Sequence, residues 1–120
     1  MASKLKRSYI HVVTTNDIPG YAITDVKGLV WGTTVRSKFL GSEIIALMKV
    51  LVGGEVKEYT SMINEARRYV IEKMVDNAKA LGANAVVGTR IGTSSQTIPG
   101  ATEIFAYGTA VIIERAKRGK

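Results

Sequence analysis

The stretch Thr102-Glu-Ile-Phe-Ala-Tyr-Gly-Thr-Ala-Val-Ile-Ile-Glu114 reads as a strand, and its two faces decide what the rest of the chain must do. Alternate side chains of a strand point to opposite sides of a sheet. One side carries Ile104, Ala106, Gly108, Ala110 and Ile112, mostly small residues over which a helix can lie close. The other carries Glu103, Phe105, Tyr107, Thr109, Val111 and Ile113. Both are too apolar for a face left in water, so each needs a cover.

The cover for one side lies upstream. From Glu55 to Leu81 the residues Val56, Tyr59, Met62, Ile63, Ala66, Val70, Met74, Ala78 and Leu81 recur at steps of three and four, the stripe of a long amphipathic helix. Gly82 is a natural stop for it. Such a one-sided stripe covers one sheet face. A second segment, residues 44–52, follows the cap signal Ser42-Glu43 and stops at Gly53-Gly54. It is apolar nearly all round, broken only by Lys49, and reads as a short helix that itself needs covering. Either this segment folds back over the second sheet face within one chain, or copies of the chain cover one another. The amount of apolar surface favours self-association.

Working outward, residues 8–15 (SYIHVVTT) read as a strand. Asn16-Asp17-Ile18-Pro19-Gly20 follows as a turn. Residues 21–36 form a second extended stretch, bent at Lys27-Gly28, so that the two suggest a hairpin or neighbouring strands. Residues 84–91 are a further strand, joined to 102–114 across the polar linker 92–100. The expectation is an α+β fold: an antiparallel sheet packed on one long helix plus a short apolar helix. It forms one domain over residues 8–114, with basic tails at 1–7 and 115–120.

Composition narrows the function classes. The chain has 120 residues, 46% of them hydrophobic, two prolines and no cysteine. That excludes disulfides, thiolate metal sites and a cysteine nucleophile. No apolar run reaches the roughly 18 residues of a membrane span, and the N-terminus carries no signal-type apolar run, which sets the expectation of a soluble, cytoplasmic protein. The net charge of +7 sits entirely in the tails, where Lys4, Lys6, Arg7, Arg115, Lys117, Arg118 and Lys120 lie; the body between them is neutral. Nucleic-acid recognition uses a basic folded face, so weak, salt-sensitive contact through the tails is all that the charge supports. Nucleophile-elbow, zinc-protease, kinase and dinucleotide motifs are absent from the sequence.

Several stretches resemble the YbjQ-like family of small bacterial and archaeal proteins of unknown function. The matching residues are Gly53-Gly54-Glu55, Tyr59-Thr60, Ala66-Arg67, Met74, Leu81-Gly82-Ala83-Asn84-Ala85-Val86-Val87-Gly88, Arg90, Thr102-Glu103 and Ala106-Tyr107-Gly108-Thr109-Ala110-Val111. The similarity covers about residues 10–114. It implies a ring-forming subunit of dodecin-like or YbjQ-like type, assembled as a homopentamer, and brings with it a family label of heavy-metal binding. The family pattern often has an aromatic residue and an acid after the arginine; here Ile91 and Gly92 stand there, which counts against a metal.

Heavy and transition metals favour Cys, His and carboxylate clusters. His11 is the one histidine and hence the metal candidate, several copies of which a ring could bring to one axis. The candidate ligand-binding residues are Arg67, Arg90, Glu103 and Tyr107, all within the matching motifs. An Arg90–Glu103 pair across the hairpin would be worth at most about 1 kcal/mol at the surface; buried between subunits it would specify register or bind an anionic ligand through the guanidinium. No residue is assigned a catalytic role, and any cofactor is unknown. The reading is a non-catalytic, self-associating binding or scaffold protein, with an enzyme or small-anion binder using sites at subunit junctions as the alternative.

Overall fold

The computed structural model describes residues 10–37, 57–95 and 101–117. In chain order the elements are β1 (His11–Val12), β2 (Tyr21–Ser37), α1 (Lys57–Ala80), β3 (Ala85–Ser95) and β4 (Ala101–Arg115). The four strands form one sheet in the order β1-β3-β4-β2, with α1 packed over β2 and β4. The fold class is α+β, as expected. The expected short apolar helix at 44–52 lies outside the described residues.

The sheet is antiparallel through β3, β4 and β2, but β1 joins β3 in parallel, with His11 opposite Ala85 and Val12 opposite Val86. The sheet is therefore mixed. This also corrects the expected pairing of the first two strands, since β1 and β2 form opposite edges. The linker between them explains why. Tyr21 N–H donates to the Ile18 carbonyl at 3.0 Å, closing a turn with Pro19 and Gly20 at its centre and Gly20 at φ 86°. That is the geometry of a type II turn. Instead of folding β2 back onto β1, residues 13–21 carry the chain across the end of the sheet, where Ile18, Val13 and Tyr21 pack on Ala85, Val87, Val111 and Ile113. One end of the second sheet face is covered in this way, from within the chain.

The first face is covered by α1. Ala66, Val70, Met74 and Ala78 are completely buried against Val30, Val86, Ile104, Ala106 and Ala110. The helix and β2 come very close at Gly32. A Cβ there would overlap the Val70 carbonyl oxygen and stand 2.8 Å from Lys73 Cβ and 2.9 Å from Met74 N. Gly108, by contrast, makes room within the sheet: its missing Cβ would lie 2.6 Å from Val86 Cγ1 and 3.2 Å from Thr89 Oγ1.

The helix ends where the sequence places its stop. Gly82 has φ 85°, its N–H donates to the Lys79 carbonyl at 2.9 Å, and Ala83 N–H donates to the Ala78 carbonyl at 3.1 Å. This reciprocal pair satisfies the last helical carbonyls and turns the chain into β3. Asn84 then fastens the turn to β4. Its side-chain amide donates to the Ile113 carbonyl at 3.0 Å and accepts from Ile113 N–H at 2.7 Å. Asn84→Ala removes both bonds at once and is expected to cost about 2 kcal/mol, read as a lower urea midpoint at unchanged slope. A loss below about 0.5 kcal/mol would mean that water replaces the amide.

The linker expected at 92–100 is shorter than the sequence suggests. β3 runs on to Ser95, pairing Gly92 with Phe105, Thr93 with Ile104, Ser94 with Glu103 and Ser95 with Thr102. Small polar residues serve here as strand because β4 supplies the bulk. Above all, the Phe105 ring fills the space over Gly92, where a Cβ would lie 2.7 Å from Cζ.

Candidate functional site

The four candidate ligand residues do not converge on one site. Paired residues share a face, so Arg90 and Tyr107, which stand opposite each other, lie with Glu103 on the face away from α1. Arg67 belongs to the helix on the other side, exposed, and its guanidinium donates to Asn64 Oδ1 at 2.8 Å. It borders an open depression lined by Ser61, Asn64, Glu65 and Arg68, on the outer surface of α1.

Arg90 and Glu103 do not form the expected pair. The Arg90 guanidinium donates through Nη1 to the backbone carbonyls of Thr14, at 3.0 Å, and Thr89, at 2.9 Å. It thereby ties the continuation of β1 to β3. Thr14 comes within reach because β3 bulges between Val87 and Arg90, with Gly88 N–H bonded to the Thr15 carbonyl and Thr89 N–H to the Val13 carbonyl. The Glu103 carboxylate is held by two hydroxyls, one from each neighbouring strand. Thr33 Oγ1 donates to Oε2 and Ser94 Oγ to Oε1, each at 3.0 Å. Neither hydroxyl is legible in the sequence, because residue 94 reads as part of a loop and residue 33 joins β4 only through the sheet. Tyr107 stacks on Phe105, with ring centroids 6.2 Å apart and an angle of 19°, and remains 42% exposed.

His11 sits half-buried on the edge strand, its ring 5.1 Å from that of Tyr21, which also lies beneath the Arg115 guanidinium at 5.6 Å. Among the described residues no three His, Cys, Asp or Glu side chains gather into a metal-holding group. The chain has no cysteine and one histidine, so the soft donors that heavy metals prefer are not there to be gathered. The described residues of a single chain therefore do not fit a heavy-metal centre. An acid at position 92, where the family pattern often has one, would run into the Phe105 ring.

Two features outside the candidate set stand out. The first is a stripe of large apolar side chains on β2. Val26, Leu29, Trp31 and Val35 are 62%, 63%, 56% and 60% exposed, and all face away from α1, alongside Tyr107. The second is a cationic cluster on the helix side. The Tyr69 ring has the Arg36 guanidinium 5.6 Å and the Lys73 ammonium 5.8 Å from its centroid. Tyr69 and Lys73 lie one helical turn apart, a spacing visible in the sequence; their meeting with Arg36 depends on how α1 crosses β2. Asp25, on the exposed part of β2, has its carboxyl held below the usual range by a hydrogen bond and the charge of the Lys27 ammonium, 3.1 Å away. It is a surface pair whose two residues flank Val26 at one end of the stripe.

Comparison with known proteins gives a consistent answer. Residues 10–114 match the family described as "Putative heavy-metal-binding". A UPF0145 protein of Clostridium perfringens is 54% identical over 105 residues, covering 88% of this chain and 98% of the relative. Its counterpart in Pyrococcus furiosus is 52% identical, covering 90% and 94%. That of Saccharolobus solfataricus is 49% identical, covering 92% and 96%. None of these names states a reaction. Among solved structures, a protein of unknown function of the DUF74 family from Pediococcus pentosaceus is similar in fold, with a TM-score of 0.62 at 20% identity over 88% of this chain and 98% of that one. With a similar fold and about half its residues shared with relatives of which it covers nearly the whole length, the chain belongs to the YbjQ-like, UPF0145 family.

Proposed function

We propose that this chain works as a self-associating, non-catalytic binding or scaffold protein, in which the apolar stripe of β2 joins copies into a ring. The observation that carries the reading is the exposure of Val26, Leu29, Trp31 and Val35 along one face of an edge strand. β2 is 17 residues long, and among the described residues no strand pairs with its outer edge. Long, apolar, unpaired edges invite another chain. Contiguous exposed apolar surface at this scale marks an interface. A second copy suits it, because the stripe itself carries no charge for a like-charged neighbour to repel. The size of the ring, five subunits, rests on family resemblance.

The test is native mass spectrometry of untagged protein, with metal analysis of the same sample. The expected result is a particle of five times the 13.0 kDa chain. A stable monomer would refute self-association, and would leave residues 38–56 as the cover for the stripe. A stoichiometric metal in the particle would point to a site made jointly by several subunits.

A further inference from the structure

We propose that Arg36, Tyr69 and Lys73 form a binding site for an oxyanion, a phosphate or carboxylate group carried by a small ligand. The site lies on the helix side of the sheet and is independent of the β2 stripe, which faces the other way. Arg36 belongs to the same row of β2 as Gly32 and Thr34, so it points toward α1. The close approach of helix and strand at Gly32 brings Tyr69 and Lys73 over that row.

Three observations indicate an anion. First, the Nε of Arg36 is buried and has no hydrogen-bond partner. Buried donors are normally satisfied, and one that is not needs an acceptor. Second, neither Arg36 nor Lys73 is paired with a carboxylate among the described residues. Two cations beside one ring repel each other, and an anion between them removes that cost. Glu72, next to Lys73, is turned about 100° around the helix and does not supply it. Third, the Tyr69 ring satisfies neither cation's hydrogen-bonding groups, because a ring face attracts charge but offers no lone pair to an N–H. Tyr69 is 41% exposed and Lys73 is exposed, so a ligand can approach the ammonium side of the cluster from solvent and reaches the buried Nε by displacing what covers it. A guanidinium fork beside an ammonium is the donor set that proteins use for phosphate and carboxylate oxygens.

The probe is inorganic pyrophosphate, titrated calorimetrically into the full-length protein at low ionic strength. Arg36→Lys keeps the charge but loses the Nε donor and the fork; Lys73→Gln removes the second charge. The expected result is saturable binding, weakened at least tenfold by each substitution, with circular dichroism and particle mass unchanged. Binding that survives Arg36→Lys intact would overturn the proposal and assign the affinity to the basic tails, and no saturable binding at all would refute it. Glu43→Gln and Glu55→Gln address the other source of an acceptor, a carboxylate from residues 38–56. If either variant binds pyrophosphate markedly more tightly than the parent, the site is filled by the chain's own acid and the ligand reading fails. The particle mass is read separately, so this outcome does not bear on self-association.

Discussion

Gly32→Ala is expected to destabilise the subunit by about 3 kcal/mol or more, the upper range for overpacking. The added methyl would overlap the Val70 carbonyl oxygen and stand 2.8 and 2.9 Å from Lys73 Cβ and Met74 N. Two of these three are backbone atoms, so no side-chain rotation relieves the clash. The helix has to lift away from β2 as a body. Lifting it opens the core formed by Val30, Val70, Met74 and Ala106, all of which are buried in this contact. Urea denaturation of the purified variant measures the effect. Gly108→Ala is a useful comparison, since its nearest contact would be the Val86 side chain, which has some freedom to move. If Gly32→Ala costs no more than Gly108→Ala, the helix is not seated as closely as described.

Trp31→Asp is expected to convert the proposed assembly to single chains while leaving each chain folded. Trp31 lies in the middle of the β2 stripe, opposite Tyr107, and is 56% exposed in the isolated chain. Its backbone is held from behind, where Asn77 Nδ2 donates to the Trp31 carbonyl at 2.8 Å, so the strand keeps its place whatever side chain points outward. An exposed substitution of this kind shifts monomer stability by about 0.5 kcal/mol or less. Between subunits the same change buries an unpaired carboxylate and deletes a large aromatic anchor, a combination worth about 3–5 kcal/mol. Every 1.4 kcal/mol is about a factor of ten, so association weakens by about a hundredfold to several thousandfold. Sedimentation velocity at micromolar concentration should show the single-chain mass for Trp31→Asp and the parent mass for Trp31→Phe. If the Asp variant sediments with the parent, the β2 stripe is not the interface.

The two faces of β4 show how far the sequence carries. Ile104, Ala106 and Ala110 alternate toward the helix, and α1 carries the stripe Ala66, Val70, Met74 and Ala78 that meets them, all of them buried. Regular periods of 2 and 3.6 held there, and so did Gly82 as the helix stop. β2 shows where reading by period breaks down. Register shifts between Ile23 and Asp25 and between Val26 and Gly28 each insert a residue. The outward positions therefore run 23, 26, 29, 31, 33 and 35 and not in steps of two. No alternation links Val26 to Trp31 in the sequence, so the stripe emerged only once the strand was paired. The surplus of apolar surface was legible; its place was not.

The candidate site divides in the same way. The motif residues Arg90, Glu103 and Tyr107 were found from the sequence, but the hydrogen-bond partners Thr14, Thr33 and Ser94 come from three different stretches of the chain. A hydrogen bond is decided by positions good to a fraction of an ångström, and spacing along the chain does not carry that across strands. The sequence by itself determined the α+β class, the long helix and its end, and the absence of cysteine chemistry, because each depends on local period or composition. Only the tertiary structure decided that β1 runs parallel beside β3, that Glu103 binds two hydroxyls instead of Arg90, and that Arg36 meets Tyr69 and Lys73. Each of these depends on which distant segments the packing at Gly32 and the bulges of β2 and β3 bring into contact.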